Sequence, residues 1–168
     1  MTRNVLLKLL GGSNNAHALR RGVNLWPPLL GAGIRVKRIA ADMKSIDVEM
    51  KLRWWNANYV GTQFGGSLFA MTDPFYMLML MANLGSDYIV WDKAASIRYR
   101  RPGKGTVRAE FRLNDAELND IREKLKILPT YEPVFRVEVK DPTGEVIASV
   151  EKTIYVRLRE SAPRSNSD

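Results

Sequence analysis

The sequence predicts a single α+β domain in which an antiparallel sheet curls around one apolar helix. Its 168 residues are 45% hydrophobic and 26% charged, which is typical of one ordinary globular domain. Several segments alternate apolar and charged residues with a period of two, the pattern of half-buried strands. One segment, residues 68–84, is apolar on almost every side. Because such a helix must be covered all round, the sheet is expected to wrap it.

The elements follow one another without an internal repeat or an interdomain linker. An amphipathic N-terminal helix is expected to pack Leu6, Leu9 and Leu10 on the body, and a short helical piece reaches Arg21 before Trp26-Pro27-Pro28 ends it. The remaining predicted elements are strands 34–41 and 46–52, the apolar helix, strands 89–99 and 107–113, a helix over 115–128 capped by Asn114 or Asp115, and a hairpin of strands 134–140 and 145–158. We therefore divide the chain into an N-terminal helical segment (1–32), a main domain (33–159) and a polar tail (160–168) expected to be disordered.

Composition narrows the possible functions. The chain has no cysteine, which excludes disulfides, thiolate nucleophiles and cysteine-based zinc sites and fits a reducing compartment such as the cytoplasm. Its one histidine, His17, lies near the N-terminus, which disfavours a histidine-based triad or metal site. The net charge of +8 suits a polyanionic partner or simple solubility. No nucleic-acid-binding pattern accompanies it, and the longest uncharged run, residues 74–86, falls short of the roughly 20 residues that span a bilayer.

Most of the functional signal lies between Asn58 and Asp73. A Gly65-Gly66 loop leads into the apolar helix, and Asp73 is an isolated carboxylate within it. Such a carboxylate is costly to bury unless it is partnered, and it often takes part in chemistry. Alternatively, Asp73 caps a helix that begins at Pro74. The glycines either bring backbone close to a substrate or only permit a tight turn, and Asn58 is either a site residue or a turn residue.

The element order and these motifs resemble the hot-dog fold, in which a six-stranded antiparallel sheet wraps a central helix. Within that fold, the segment is similar to thioesterases of the phenylacetic-acid pathway. These carry Asn, then His-Gly-Gly six residues later, then Asp or Glu nine residues after the His, and Asn58, Phe64-Gly65-Gly66 and Asp73 keep those spacings. The resemblance covers roughly residues 33–158. Phenylalanine replaces the family histidine, which brings the chain closest to an uncharacterised branch of the superfamily.

The resemblance implies an acyl-thioesterase that hydrolyses an acyl-coenzyme A or acyl-carrier-protein thioester without metal or cofactor. Asp73 would be the general base or, as the weaker option, the nucleophile. Asn58 would orient water or fix the loop, and Gly65 and Gly66 would supply oxyanion donors. The family builds each site from two subunits, which implies a homodimer or homotetramer. Because Phe64 replaces the histidine, a catalytically weak protein that binds acyl thioesters is the alternative.

Further residues are candidate substrate contacts. Phe64 would line an acyl pocket, and Ser67 lies beside it at the start of the apolar helix. Thr72 would bond the water or the base, or bond back to its own helix. A basic group next to one turn would hold coenzyme A phosphates, or else form a solvated strand edge; it comprises Arg98, Arg100 and Arg101 with Lys104.

Overall fold

The computed structural model describes residues 15–159, and the predicted helix through Leu6 and the predicted tail from Glu160 lie outside that range. No helix within the described residues is both long and apolar enough to cross a membrane. The elements are α1 (Asn15–Asn24), α2 (Pro27–Ala32), β1 (Ile34–Ile39), β2 (Ser45–Lys51), α3 (Gly65–Ala70), α4 (Phe75–Leu84), β3 (Tyr88–Tyr99), β4 (Thr106–Arg112), α5 (Asp115–Ile127), β5 (Val134–Lys140) and β6 (Val146–Leu158).

The six strands form one antiparallel sheet in the order β1-β2-β4-β5-β6-β3. Both predicted hairpins, β1–β2 and β5–β6, are present. Along β4 and β5, buried apolar residues alternate with exposed ones, because successive side chains of a strand point to opposite faces. The predicted α+β class, with a sheet curled around apolar helix, is confirmed.

The apolar segment is two helices and not the single helix predicted over 68–84. α3 ends at Ala70, α4 begins at Phe75, and residues 71–74 between them are turns. Pro74 lacks the N–H that would continue the helical ladder, which is the local reason for the interruption. The second helix is the covered one: its Phe75 lies 4.9 Å from Phe111 of β4, and its Tyr76 stacks at 4.6 Å on Phe135 of β5, measured between ring centroids.

The N-terminal region also differs from the expectation. Pro27 and Pro28 begin helix α2 and do not merely end the preceding one, since proline's fixed φ and missing N–H suit a helix's first turn. Leu19, Val23 and Leu29 from α1 and α2 join the hydrophobic core of the sheet. The Asn24 side chain exchanges two hydrogen bonds with the backbone of Val36, so it binds the sheet's β1 edge.

The remaining helix, α5, matches its predicted cap. Asn114 accepts a hydrogen bond from the Glu117 N–H, and the Glu117 carboxylate accepts one from the Asn114 N–H. This reciprocal capping box satisfies two N–H groups that a helix start would leave without partners. Leu118, Ile121 and Leu125 then bury one face of the helix on the core.

Candidate functional site

Asp73 lies in the interruption between α3 and α4, where its side chain reaches the sheet. Its Oδ1 accepts a hydrogen bond of 2.6 Å from Lys152 Nζ, while 47% of the side chain stays exposed. The alternative that Asp73 caps α4 is wrong, because the N-cap residue is Pro74 and no side chain bonds the first turn. The interruption therefore presents a carboxylate that is held on one side and open on the other.

Lys152, the partner of Asp73, is a residue that the sequence analysis did not single out. It lies on β6 between Val150 and Ile154, in phase with the buried positions, and only 2% of its side chain is exposed. The sequence contains a signal for this lysine. Apolar and polar residues alternate along the strand, and Lys152 occupies a position where the alternation calls for an apolar residue. A buried ammonium group costs several kcal/mol unless it is paired, so a lysine in that phase predicts a carboxylate partner.

Asp92 on β3 is the second partner. Its Oδ1 lies 2.9 Å from Lys152 Nζ, and 22% of its side chain is exposed. The register of β3 with β6 shifts between Asp92 and Ala94, a bulge that locally changes how the strand presents its side chains. One ammonium group thus lies between two carboxylates that come from different elements, and the Asp73–Lys152–Asp92 cluster carries a net charge of −1 when all three are ionised.

The local environment sets the charge states of this cluster. Burial raises the pKa of Asp92, and the neighbouring Asp73 carboxylate acts in the same direction, against the attraction of Lys152. Burial by itself would lower the pKa of Lys152, but its two carboxylate partners outweigh burial and raise that pKa above its usual value. Lys152 is therefore a permanent cation at neutral pH.

Asn58 organises the loop that precedes α3. Its Oδ1 accepts hydrogen bonds from the N–H groups of Val60 and Thr62, and its Nδ2 donates to Thr62 Oγ1 at 2.8 Å. These hydrogen bonds show that the Asn58 side chain fixes the conformation of the loop, which is one of the roles expected for it. Gly61 in this loop has a φ of +75°, a conformation that glycine adopts at little cost.

Phe64, Gly65 and Gly66 start α3, and each glycine lies against an aromatic ring. The hydroxyl of Tyr99 at the end of β3 donates to the Gly65 carbonyl at 3.1 Å, and a Cβ on Gly65 would lie 3.0 Å from the same hydroxyl. A Cβ on Gly66 would lie 2.5 Å from Phe64 Cε1. Phe64 is 53% exposed, and no side chain caps the helix. The N–H groups of this first turn thus have no partner within the helix.

A cleft of about 660 Å³ opens beside this helix start. Arg100, Arg101 and Lys104 lie along it together with Asn58 and Gly65. Arg101 also forms an ion pair with Glu145, with its Nε 2.9 Å from the carboxylate. Arg98 is not among the residues that line this cleft. It lines a separate depression, with Arg136 and Glu151 of β5 and β6, which Arg100 also borders.

Ser67 and Thr72 are both buried near the helix pair. The hydroxyl of Thr72 donates to the Phe69 carbonyl at 2.7 Å, so it bonds back to its own helix. Ser67 lies within α3, where its carbonyl accepts a hydrogen bond from the Met71 N–H. Neither side chain belongs to the Lys152 cluster.

Solved structures with the same fold come from several organisms. A protein of unknown function from Pseudomonas aeruginosa, described as a probable thioesterase, is 19% identical with a TM-score of 0.67, over 95% of this chain and 97% of its own. A Haemophilus influenzae thioesterase is 14% identical with a TM-score of 0.63, over 88% and 94%. Thioesterase superfamily member 2 from Mus musculus is 19% identical with a TM-score of 0.60, over 83% and 96%.

These similarities show that the chain has the hot-dog fold. No curated protein matches the sequence. The profile of one protein family, described as a domain of unknown function (DUF4442), matches residues 16–156. The chain therefore belongs to the DUF4442 family.

Proposed function

We propose that the protein is an acyl-thioesterase that hydrolyses an acyl-coenzyme A or acyl-carrier-protein thioester, with Asp73 as general base. The observation that carries this proposal is the state of Asp73: Lys152 holds one carboxylate oxygen at 2.6 Å, while nearly half the side chain remains open to solvent. A general base needs both a fixed position and access to the proton that it removes. The descriptions of the structural neighbours as thioesterases point to the same reaction class.

In the proposed reaction, Asp73 removes a proton from a water molecule whose oxygen attacks the thioester carbonyl carbon. Backbone N–H groups at Gly65 and Gly66 stabilise the oxyanion that forms. When the tetrahedral intermediate collapses, the C–S bond breaks and the departing thiolate takes the proton from Asp73. The products are a carboxylic acid and a thiol, and the step requires no metal or cofactor.

Within one chain these groups are anchored at separate points of β3. Gly65 is bonded to Tyr99 and Asp73 shares a lysine with Asp92, and those two residues of β3 lie seven positions, or about 23 Å, apart. A reacting carbonyl must lie roughly 3 Å from both its base and its oxyanion donors. We therefore infer that each site takes Asp73 from one subunit and the Gly65 loop from another.

Strand β3 offers the surface for that assembly. It is an edge strand of twelve residues, whereas the opposite edge, β1, is bonded by Asn24 and packed by α1. Long open edges pair readily with another strand. A two-fold antiparallel pairing centred near Ala95 and Ser96 would place Asp92 of one subunit beside Tyr99 of its partner. We propose a homodimer, or a homotetramer built from such dimers, in the cytoplasm.

The cleft beside Gly65 suits the rest of the substrate. Arg100 and Lys104 along it would bind the phosphates of coenzyme A or of a carrier protein's phosphopantetheine. Phe64, half exposed at the mouth of α3, would contact the acyl chain.

Phe64 also supports a second candidate function. Because it stands where related thioesterases carry histidine, the site has one polar group fewer near the reacting carbonyl. A protein that binds acyl thioesters but turns them over weakly is the alternative.

Thiol release from short, medium, long and aromatic acyl-coenzyme A thioesters tests the proposal, with Asp73→Asn in parallel. We expect turnover with at least one class and a loss of about 10² or more in the variant, as general bases contribute 10²–10⁴. Asp87→Asn, at an exposed carboxylate outside the cluster, is the matched control and should keep full activity. Equal binding of an acyl thioester by wild type and variant, without turnover, would favour the binding protein.

A further inference from the structure

The position of Lys152 in the core points to a role beyond stability. Lysine is the one charged residue in the inward row of β6, and its ammonium group reaches the same Asp73 that we propose as the base. We propose that Lys152 is a positioning residue that holds the Asp73 carboxylate in place for its role as base, and that Asp92 balances the charge of Lys152. This inference rests on the proposed thioesterase function and adds two residues to its site.

The hydrogen bonding of Asp73 supports a role for Lys152 in positioning this carboxylate, and not in burying it. Lys152 bonds one oxygen of Asp73, Oδ1, and no donor within residues 15–159 bonds the other oxygen, Oδ2. One oxygen is thus anchored, while nearly half of the side chain stays open to solvent. Lys152 therefore joins an inner carboxylate, Asp92, to an outer and half-exposed one, Asp73.

Among the described residues, few other charged side chains face the cluster, so its titration depends mainly on its own three groups. On β5, the residue opposite Lys152 is Phe135, which is apolar. The neighbours of Lys152 and Asp92 along their strands turn outward to other partners: Glu151 pairs with Arg136, and Lys93 pairs with Glu132. Helix α3 has no titratable side chain.

Helix α4 carries one titratable side chain, Tyr76, and burial raises its pKa to about 12, which keeps it neutral at ordinary pH. The cluster therefore consists of two carboxylates and one ammonium group.

Removing the ammonium group should change how the carboxylates titrate. Two neighbouring carboxylates without a cation between them do not both stay ionised, and the pair takes up a proton at higher pH. A shared proton occupies the oxygen that would accept one from water. The acid limb of the pH profile of kcat/KM should then move upward in Lys152→Met, by about one pH unit or more.

Three variants separate charge from packing. Lys152→Met removes the cation at similar length, and Lys152→Arg keeps the charge. Lys152→Met combined with Asp92→Asn removes the cation and one carboxylate together. We expect the acid limb to rise in the first, stay near wild type in the second and return toward wild type in the third. A loss of kcat in all three with an unchanged pH profile would overturn the inference, because it would show a structural role alone.

A direct titration keeps this inference separate from the proposed function. The carboxyl carbons of ¹³C-labelled aspartate are followed by NMR against pH, with Asp73→Asn and Asp92→Asn to assign them. We expect the pair to titrate at higher pH in Lys152→Met than in wild type, whether or not any thioester is hydrolysed. Identical titration curves would overturn the inference, while absent turnover by the wild type would overturn only the proposed reaction.

Discussion

The hydroxyl of Tyr99 donates a hydrogen bond to the carbonyl of Gly65, and the same hydroxyl would lie only 3.0 Å from a Cβ on that glycine. The end of β3 and the start of α3 are thereby joined at a spacing that suits glycine. This junction fixes where the backbone N–H groups of the loop point. A substitution that adds one methyl group at this glycine tests whether the junction affects activity.

Gly65→Ala should lower kcat/KM by about tenfold with little loss of stability, because the new methyl group pushes Tyr99 away and shifts the proposed oxyanion donors. The measurement is steady-state kinetics alongside thermal unfolding. Gly22→Ala in α1 is the matched control, since nothing lies within 4 Å of its added Cβ and alanine favours a helix. Full activity in Gly65→Ala would show that the glycine serves only the turn.

The basic residues along the cleft should act on the phosphates of the substrate. We expect Arg100→Gln and Lys104→Gln each to raise KM for an acyl-coenzyme A several-fold while leaving kcat nearly unchanged, with a smaller effect at high salt. An acyl-pantetheine thioester lacks these phosphates, so both variants should have the wild-type KM for it.

Arg98→Gln is the matched control for charge, because Arg98 does not line that cleft. An equal rise in KM in Arg98→Gln would indicate that phosphate binds the other depression or the overall positive field.

Lysine at the centre of the β3 edge should weaken the proposed assembly. Ser96→Lys places two like charges near the two-fold axis of a paired edge, and edge lysines discourage strand pairing. Sedimentation velocity should show a shift toward monomer, together with a loss of thioesterase activity, because each site would lose half its residues. Ala116→Lys, on the exposed side of α5, adds the same charge elsewhere and should leave both unchanged. A dimeric and active Ser96→Lys variant would place the interface elsewhere.

The contributions of Asp47 and Asp92 to the free energy of unfolding should depend on pH in opposite directions. Burial of Asp47 would raise its pKa, but Arg38 and Arg112 outweigh that and hold the pKa below the usual 3.8. A carboxylate with a lowered pKa in the folded state stabilises the fold above its unfolded pKa, and the benefit is lost as pH falls through the folded pKa. Asp47→Asn should therefore cost about 1 kcal/mol at pH 7 and progressively less below about pH 4.

Asp92 has the reverse sign, because burial raises its pKa above the usual 3.8. The folded protein binds a proton there before the unfolded chain does, so the wild type gains stability relative to Asp92→Asn as pH falls from 7 toward 4. Urea unfolding at pH 7, 5 and 4 measures both differences. Parallel pH dependence of the two variants would contradict these assignments.

The sequence by itself determined the fold class of this protein, because its evidence is local. Period-two alternation in Val134–Lys140, the Asn114 cap and the paired glycines each report a backbone conformation within a few residues. It also singled out Asp73, since an isolated carboxylate in an apolar segment is costly wherever that segment folds. Pro74 carried the signal for the helix interruption, although its extent over residues 71–74 depended on packing.

Only the tertiary structure decided what Asp73 meets. Lys152 lies 79 residues away from Asp73 along the chain. The two side chains come into contact only when β6 packs near the interruption between the two helices. Which basic residues line the cleft was also decided by the tertiary structure: Arg100 and Lys104 lie along it, whereas Arg98 lines a separate depression that Arg100 also borders. Side-chain alternation is readable along the chain, but which faces come together depends on strand order, and strand order is a property of the whole fold.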